Sequence, residues 1–431
     1  MINRIILIGN GFDLAHEMPT SYNNFIDNFW SDINQQLLKS NGKYISDDFS
    51  IAYSHTYADG YIYHAVKESE TLLKDYYKNH ARSHANYANL NLDNDFLFQI
   101  SKKSFENWVD IENEYYEIIL SLLADKNARS GGIEQLNKDL LSIKNHLHSY
   151  LDKIQENFNH SEKIVKHIKR FFNEPFKMKD FSEEAKKKIF DEKWEKFKHI
   201  SLSEEYSTES HMFTDPFDKF LFKNANRGIL GETAFKDIIR MNEDNFFNDE
   251  VGFPEVITFN YTSTENLYGE PEDFRTTHIH GEITNDRNPL IFGYGDELDD
   301  SYSMIEKLQN NAFLDNMKSI NYSKTNNYKH ILSVLESGLF QVYVMGHSCG
   351  NSDRTLLNTI FEHDNCASIK IFYYQDSEKS DKYLETYKNI SRNFNNKAKL
   401  RDRVVNWQLS EPLVPYELKL EVMEDMKKAS L

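Results

Sequence analysis

"IILIGNGFDLAHEMPTSYNNF", residues 5–25, sets four apolar side chains, Ile5 to Ile8, directly before Gly9-Asn10-Gly11. An unbroken apolar run bounded by glycine reads as a strand buried on both faces, since a solvated face would require a polar residue at every second position. Glycine at 9 and 11 permits a tight turn and close approach of another group, and a helix beginning near Gly11 would aim its positive end at an anion. The stretch is therefore a strand, a glycine turn and a helix, the first unit of an α/β sheet. As a dinucleotide fingerprint it is incomplete, because Leu14 stands where a third glycine is expected. A ligand-free βα turn explains the same glycines, with Asp13 and His16 as its cap and decoration.

Working outward, short apolar runs recur between residues 251 and 411: VITFNY, THIHG, LIFGYG, FQVYVMGH, SIKIFYYQ and RVVNW. Helical patterns such as DRTLLNTIFEH separate the later ones, so the expected architecture is α/β with a mostly parallel sheet. In such a sheet ligands bind outside the carboxyl ends of the strands. Parallel strands would gather Gly9, Asn260, His280-Gly281, Gly293 and Gly346 along one edge.

The region between differs in character. No proline occurs between Pro19 and Pro175, and apolar residues recur at helical spacing. We assign residues 1–40 and 251–411 to a discontinuous α/β nucleotide-binding domain, 41–250 to a helical insertion and 412–431 to a C-terminal helical tail. In FENWVDIENEYYEIILSLL one helical face carries Phe105, Trp108, Glu112, Tyr116 and Ile119. Glu112 interrupts that apolar stripe. A buried carboxylate must be paired, hydrogen-bonded or protonated, so Glu112 either pairs within the insertion or enters a pocket that the insertion roofs. Asp110 and Glu114 fall off the stripe and are expected to face solvent.

The chain has 431 residues, enough for two or three domain-sized units, and a formal charge of −18. That charge opposes generic adhesion to nucleic acid or anionic membrane. Cys349 and Cys366 are the only cysteines and form no Cys-x-x-Cys, which excludes a disulfide framework and a thiolate zinc ribbon and fits a reducing cytoplasm. The N-terminal apolar run is too short to span a membrane.

These motifs carry two resemblances. GNGFDLAHEMP is similar to the glycine loop of sirtuins, with Gly9, Gly11 and Pro19 at matching places. T-F-N-Y-T at 258–262 and His280-Gly281 resemble the sirtuin Asn and His-Gly motifs, and GHSCGNSD resembles the turn that holds the adenosine ribose. Thr20-Ser21-Tyr22 stands where deacylases carry Asp-Phe-Arg, Thr262 replaces an aspartate, and the four-cysteine zinc module is absent. These departures argue against deacylation and leave NAD binding and cleavage. GNGFDLAHEMPTSYNNF, WVDIE, HIHGE and MGHSCGNSD together resemble the AbiH family of bacterial abortive-infection proteins over nearly the whole chain.

The resemblances imply a sirtuin-like, Rossmann-type core and an effector that hydrolyses the nicotinamide–ribose bond of NAD or NADP when a phage trigger is sensed. Asn260 would orient ribose or water, His280 would accept a proton, and Asp13 would stabilise the cationic ring. Gly9, Asn10, Gly11, Phe12, Gly281, Gly293, Gly346, His347, Ser348 and Asp353 would bind the dinucleotide, with His16 and Glu112 as further pocket residues. No metal is expected, and an off state would be enforced by the insertion or by homo-oligomer assembly. The alternatives are a non-hydrolytic nucleotide sensor and a metal-dependent nuclease. Gly346-His347-Ser348-Cys349-Gly350 also matches the nucleophile elbow of α/β-hydrolases, although His363 is the only histidine after that serine. His278 and His280, two apart, could supply half a metal site.

Overall fold

The computed structural model describes residues 2–40, 43–46, 48–53, 88–106, 110–124, 129–202, 232–241 and 253–429. Strand β1 (Asn3–Ile8) is followed by helices α1 (Asn10–Ala15) and α2 (Tyr22–Lys39). The Ser21 hydroxyl starts α2 by accepting from the Asn24 N–H. Next comes a small antiparallel sheet, β2 (Lys43–Ile45), β3 (Phe49–Tyr53) and β4 (Ala88–Leu92). The reading of 41–250 as helical missed it: each strand is short, and although β2 pairs with the adjacent β3, β4 joins β3 from far along the chain, beyond what a local period reveals. Helices α3 (Asp95–Glu106), α4 (Ile111–Ala124), α5 (Arg129–Glu156) and α6 (Glu162–Phe172) follow. The stripe drawn from Phe105 to Ile119 is divided between α3 and α4, and Trp108 lies outside the described residues.

The chain then returns to the first sheet through β5 (Glu255–Thr258), β6 (Arg275–His278), β7 (Phe340–Met345) and β8 (Cys366–Tyr373). A hairpin of β9 (Gln375–Ser377) and β10 (Ser380–Asp381) precedes the edge strand β11 (Glu411–Pro412) and a last helix, Tyr416–Ala429. The main sheet has six strands in the order β11-β8-β7-β1-β5-β6, every pair parallel. Ranked by position in the chain, this is the 3-2-1-4-5-6 order of doubly wound α/β sheets, whose direction of winding reverses between β1 and β7.

Apolar residues on both sheet faces account for the continuous runs. Ile5, Leu7, Val342 and Val344 pack against helices at 327–336, 354–361 and 383–392, while Ile6, Ile8, Tyr343 and Met345 pack against α1, α6 and the last helix. A further core joins α2, α3, α4 and α5 to the 283–317 segment. Two runs expected as strands are not. LIFGYG and RVVNW each contribute a single isolated bridge, Tyr294 to Met317 and Val404 to Ile369. Tyr294 instead stacks on Tyr116 of α4, 3.9 Å apart, so this apolar run was bound for a helix rather than a neighbouring strand. No helix among the described residues is long and apolar enough to cross a membrane.

Candidate functional site at the crossover of the sheet

Register fixes where the loops emerge. Ile8 lies opposite Thr258 and Met345, and Thr258 lies opposite His278, so the turns after β1, β5, β6 and β7 leave the sheet side by side. The first and last of these interlock. The Gly11 N–H donates to the Gly346 carbonyl at 2.8 Å, and a Cβ on Gly346, whose φ is +71°, would stand 2.0 Å from the Phe12 nitrogen. A Cβ on Gly9 would meet the His347 backbone at 2.6 Å. The glycines thus let two turns pack backbone to backbone. The Gly11 N–H, expected to face a phosphate, is committed to protein.

Beside these turns a cleft of about 860 Å³ opens, within the range of small-molecule sites. Gly9, Asn10, Gly11, Asp13, Glu112, Asn260, His280, Gly346, His347, Ser348 and Asp353 all line it. Helix α5 passes over the edge: Leu147 and Leu151 line the cleft, and the Tyr150 hydroxyl donates to the Pro19 carbonyl at 2.6 Å.

On the β5 side, Asn260 uses both amide hydrogens internally, donating to the Gly9 carbonyl at 3.2 Å and to Asp13 at 2.9 Å. The Thr262 hydroxyl takes the other Asp13 oxygen at 2.6 Å. Asp13 therefore holds Asn260 in one amide orientation. The Asn260 Oδ1 is left without a partner among the described residues. Burial pushes Asp13 up to about 6 against the hydrogen bonds from Thr262, Thr264 and Asn260. Behind Asn260, the His278 Nδ1 meets the Asn260 carbonyl at 3.3 Å and its Nε2 meets Glu265 at 2.9 Å. Burial opposes the charged ring, but Glu265 outweighs it and raises His278.

Opposite lies a cluster of charge. Lys318 Nζ is 2.7 Å from Glu112 and 2.9 Å from Asp353. Asp353 is 3.2 Å from His280 Nε2 and 3.6 Å from His347 Nε2. Burial disfavours the Lys318 charge, yet Asp353 and Glu112 hold the ammonium above its ordinary range. Lys318 and then His280 in turn hold Asp353 well below the usual carboxylate range despite burial. Burial wins at Glu112 and pushes it up to about 8 against the pull of Lys318, with Asp353 and Asp110 adding to the rise. Burial and Lys318 lower His280 to about 4, so the ring is neutral at pH 7. An ionised Asp353 only accepts, which places the His280 proton on Nε2 and leaves Nδ1 as an acceptor. That atom has no partner among the described residues.

Four expected residues point elsewhere. Phe12 is buried in the core beneath the sheet. His16 is directed to the same side, its Nδ1 donating to the Phe12 carbonyl and its Nε2 facing the Tyr268 hydroxyl. Gly281 and Gly293 fit against the backbones of Pro289 and Asn316 and do not line the cleft. The hydrolase motif also departs from its required geometry. The left-handed φ of 55° falls on Cys349 rather than Ser348, and Gly350 has ordinary room, its nearest contact being 3.6 Å. His363 meets Glu336 and the ring of Phe340, at the amino end of β7. His278 and His280 turn to different carboxylates, and among the described residues no group of three or more His, Cys, Asp or Glu is placed to hold a metal ion.

Lys318 was missed in the sequence. NMKSINYSK has no glycine turn or apolar run to mark it, and only the placement of the 310–324 segment buries its ammonium between carboxylates from α4 and from the turn after β7. Asp110, expected in solvent, caps α4 by accepting from the Glu112 and Asn113 N–H groups and lines the cleft.

Searches of curated proteins and of solved structures gave no match. A family model described as bacteriophage abortive infection AbiH matches residues 5–375, spanning β1, the insertion and the strands that frame the cleft. The chain therefore belongs to the AbiH family.

Proposed function

We propose that this abortive-infection protein binds NAD or NADP in the cleft and hydrolyses its nicotinamide–ribose bond when triggered. One observation carries the reading: a neutral histidine with an unshared Nδ1 and an asparagine with an unshared Oδ1 face one cleft at the crossover of a doubly wound sheet. Cleavage of this bond needs little covalent assistance, because the departing ring takes the bonding pair and leaves as neutral nicotinamide. The Asn260 Oδ1 accepts from a ribose hydroxyl or the attacking water. As water bonds to the anomeric carbon, its proton passes to His280 Nδ1. Asp13 acts through Asn260 as a positioning residue. Asp353 fixes the tautomer of His280, as the carboxylate of a hydrolytic triad does.

Purified protein incubated with NAD and with NADP is expected to release nicotinamide at a basal rate, which the trigger raises. His280→Ala and Asn260→Ala should each slow that release by about 100-fold or more. Release at the wild-type rate from both variants would remove the chemistry from this cleft. The same pocket binding nucleotide tightly without turnover would make the protein a sensor instead.

A further inference from the structure

The cleft has a second end, away from His280. Beyond the glycine turns it runs past Ser348 and along the carboxyl ends of β7 and β8, where Tyr373, Tyr374, Lys382, Thr386, Leu413 and Lys419 line it. Its character is the reverse of the histidine end. There, Lys318 is enclosed by Glu112 and Asp353. Here Lys419, half-buried on the last helix, donates to the Gln375 carbonyl at 2.8 Å and lies 3.7 Å from the centre of the Tyr374 ring. No carboxylate of the described residues comes within ion-pair distance of it, although acids outnumber bases 68 to 50 in the chain. Glu17, which also lines the cleft, and Asp376 act on it only beyond ion-pair distance, and burial outweighs them and lowers Lys419 to about 8. A lysine kept partly from water and without a counter-ion, on the wall of a cleft, is matched to an anion supplied by the ligand. Lys382, exposed and 3.1 Å from Glu385, adds a second positive group on the same wall.

Orientation then follows from the proposed hydrolysis, on which this inference rests. With the nicotinamide ribose at Asn260 and His280, the adenosine half extends across the crossover toward β7 and β8. NAD carries no charge on its adenosine ribose, whereas NADP carries a 2′-phosphate there. We propose that Lys419, assisted by Lys382, binds this 2′-phosphate and that the cleft selects NADP over NAD. The Lys419 ammonium itself is held, over the face of the Tyr374 ring and by the Gln375 carbonyl, so it is positioned before the ligand arrives.

Calorimetry with 2′,5′-ADP and with 5′-AMP, which differ only in the 2′-phosphate, on the full chain tests the subsite without calling on the reaction. Wild type should bind 2′,5′-ADP about tenfold more tightly or better, a preference that Lys419→Met abolishes and Lys419→Arg retains. Lys382→Ala, on an exposed side chain, should weaken the preference by a smaller factor. Equal affinity for the two probes, or binding of neither, overturns the proposal, as does a preference that survives in Lys419→Met. Nicotinamide release separates the two readings. Equal release from NAD and NADP would keep the hydrolysis and sink the subsite, while selective binding of 2′,5′-ADP with no release from NADP would keep the subsite and sink the hydrolysis.

Discussion

Lys318 is the residue on which the charge balance of the cleft depends. Its ammonium is almost fully buried, and it neutralises Asp353 while contacting Glu112. Removing one member of a buried ionic set strands its partners in low dielectric, where water cannot replace the lost charge. Lys318→Met is therefore expected to cost about 3–5 kcal/mol of stability, measured by urea denaturation. An unchanged midpoint would mean that water reaches the carboxylates. Asp13 acts differently, since both its oxygens serve to orient Asn260 and Thr262. Asp13→Asn keeps the shape but replaces one acceptor with a donor facing the Asn260 or Thr262 donor. In the proposed reaction it should lower kcat more than it raises KM, since it disturbs orientation rather than ligand contact.

Among the elements, the β1 and β7 turns show how glycine is used. They cross so closely that the Gly346 Cα sits against the Phe12 backbone, and the Gly346 φ is left-handed as well. Gly346→Ala combines an unfavourable backbone with a contact that only movement of α1 could relieve. A loss of more than about 2 kcal/mol is expected. Gly350→Ala, four residues on, meets only an ordinary contact with the Ser348 hydroxyl at a φ of −69° and should stay within about 0.5 kcal/mol of wild type. Comparing their thermal midpoints would distinguish the interlocked turn described above from a nucleophile elbow, which needs its second glycine for close packing. Helix α5 has a related organising part. Asn137 on it links the Tyr115 hydroxyl, the Ala312 carbonyl and Asn316, tying the insertion to the segment that delivers Lys318.

Across the whole molecule, buried titratable groups give opposing slopes of stability with pH. His16 and His280 are lowered from 6.5 to about 4, so the stability they contribute is present above pH 6.5 and lost as pH falls toward 4. Asp13 and Glu112 are raised, to about 6 and about 8. For them the folded state binds the proton more tightly, and stability is lost as pH rises through those values. Between pH 6.5 and 8 the histidines have finished titrating and Asp13 nearly so, which leaves Glu112 dominant among these four. Urea midpoints of the wild type should fall across that window, and Glu112→Gln should flatten the fall. An equal fall in the variant would assign the slope to another group.

The sequence by itself determined the α/β class and the edge at which chemistry could gather. Ile5–Ile8 is apolar on both faces and Phe340–Met345 nearly so, interrupted by Gln341, and glycine follows each directly. Those signals are local, and so they were readable. Glu112 also announced itself, as a carboxylate on an apolar stripe, though its partner proved to be Lys318 from outside the insertion. Tertiary structure alone decided that Gly11 meets Gly346, that Asp13 orients Asn260, and that LIFGYG packs on α4 instead of joining the sheet. It also decided that Lys318 closes the histidine end of the cleft while Lys419 lacks a counter-ion at the other. The reason is physical: such contacts join residues from tens to hundreds of positions apart, and no residue carries in its neighbours a record of which distant group will desolvate it or neutralise its charge.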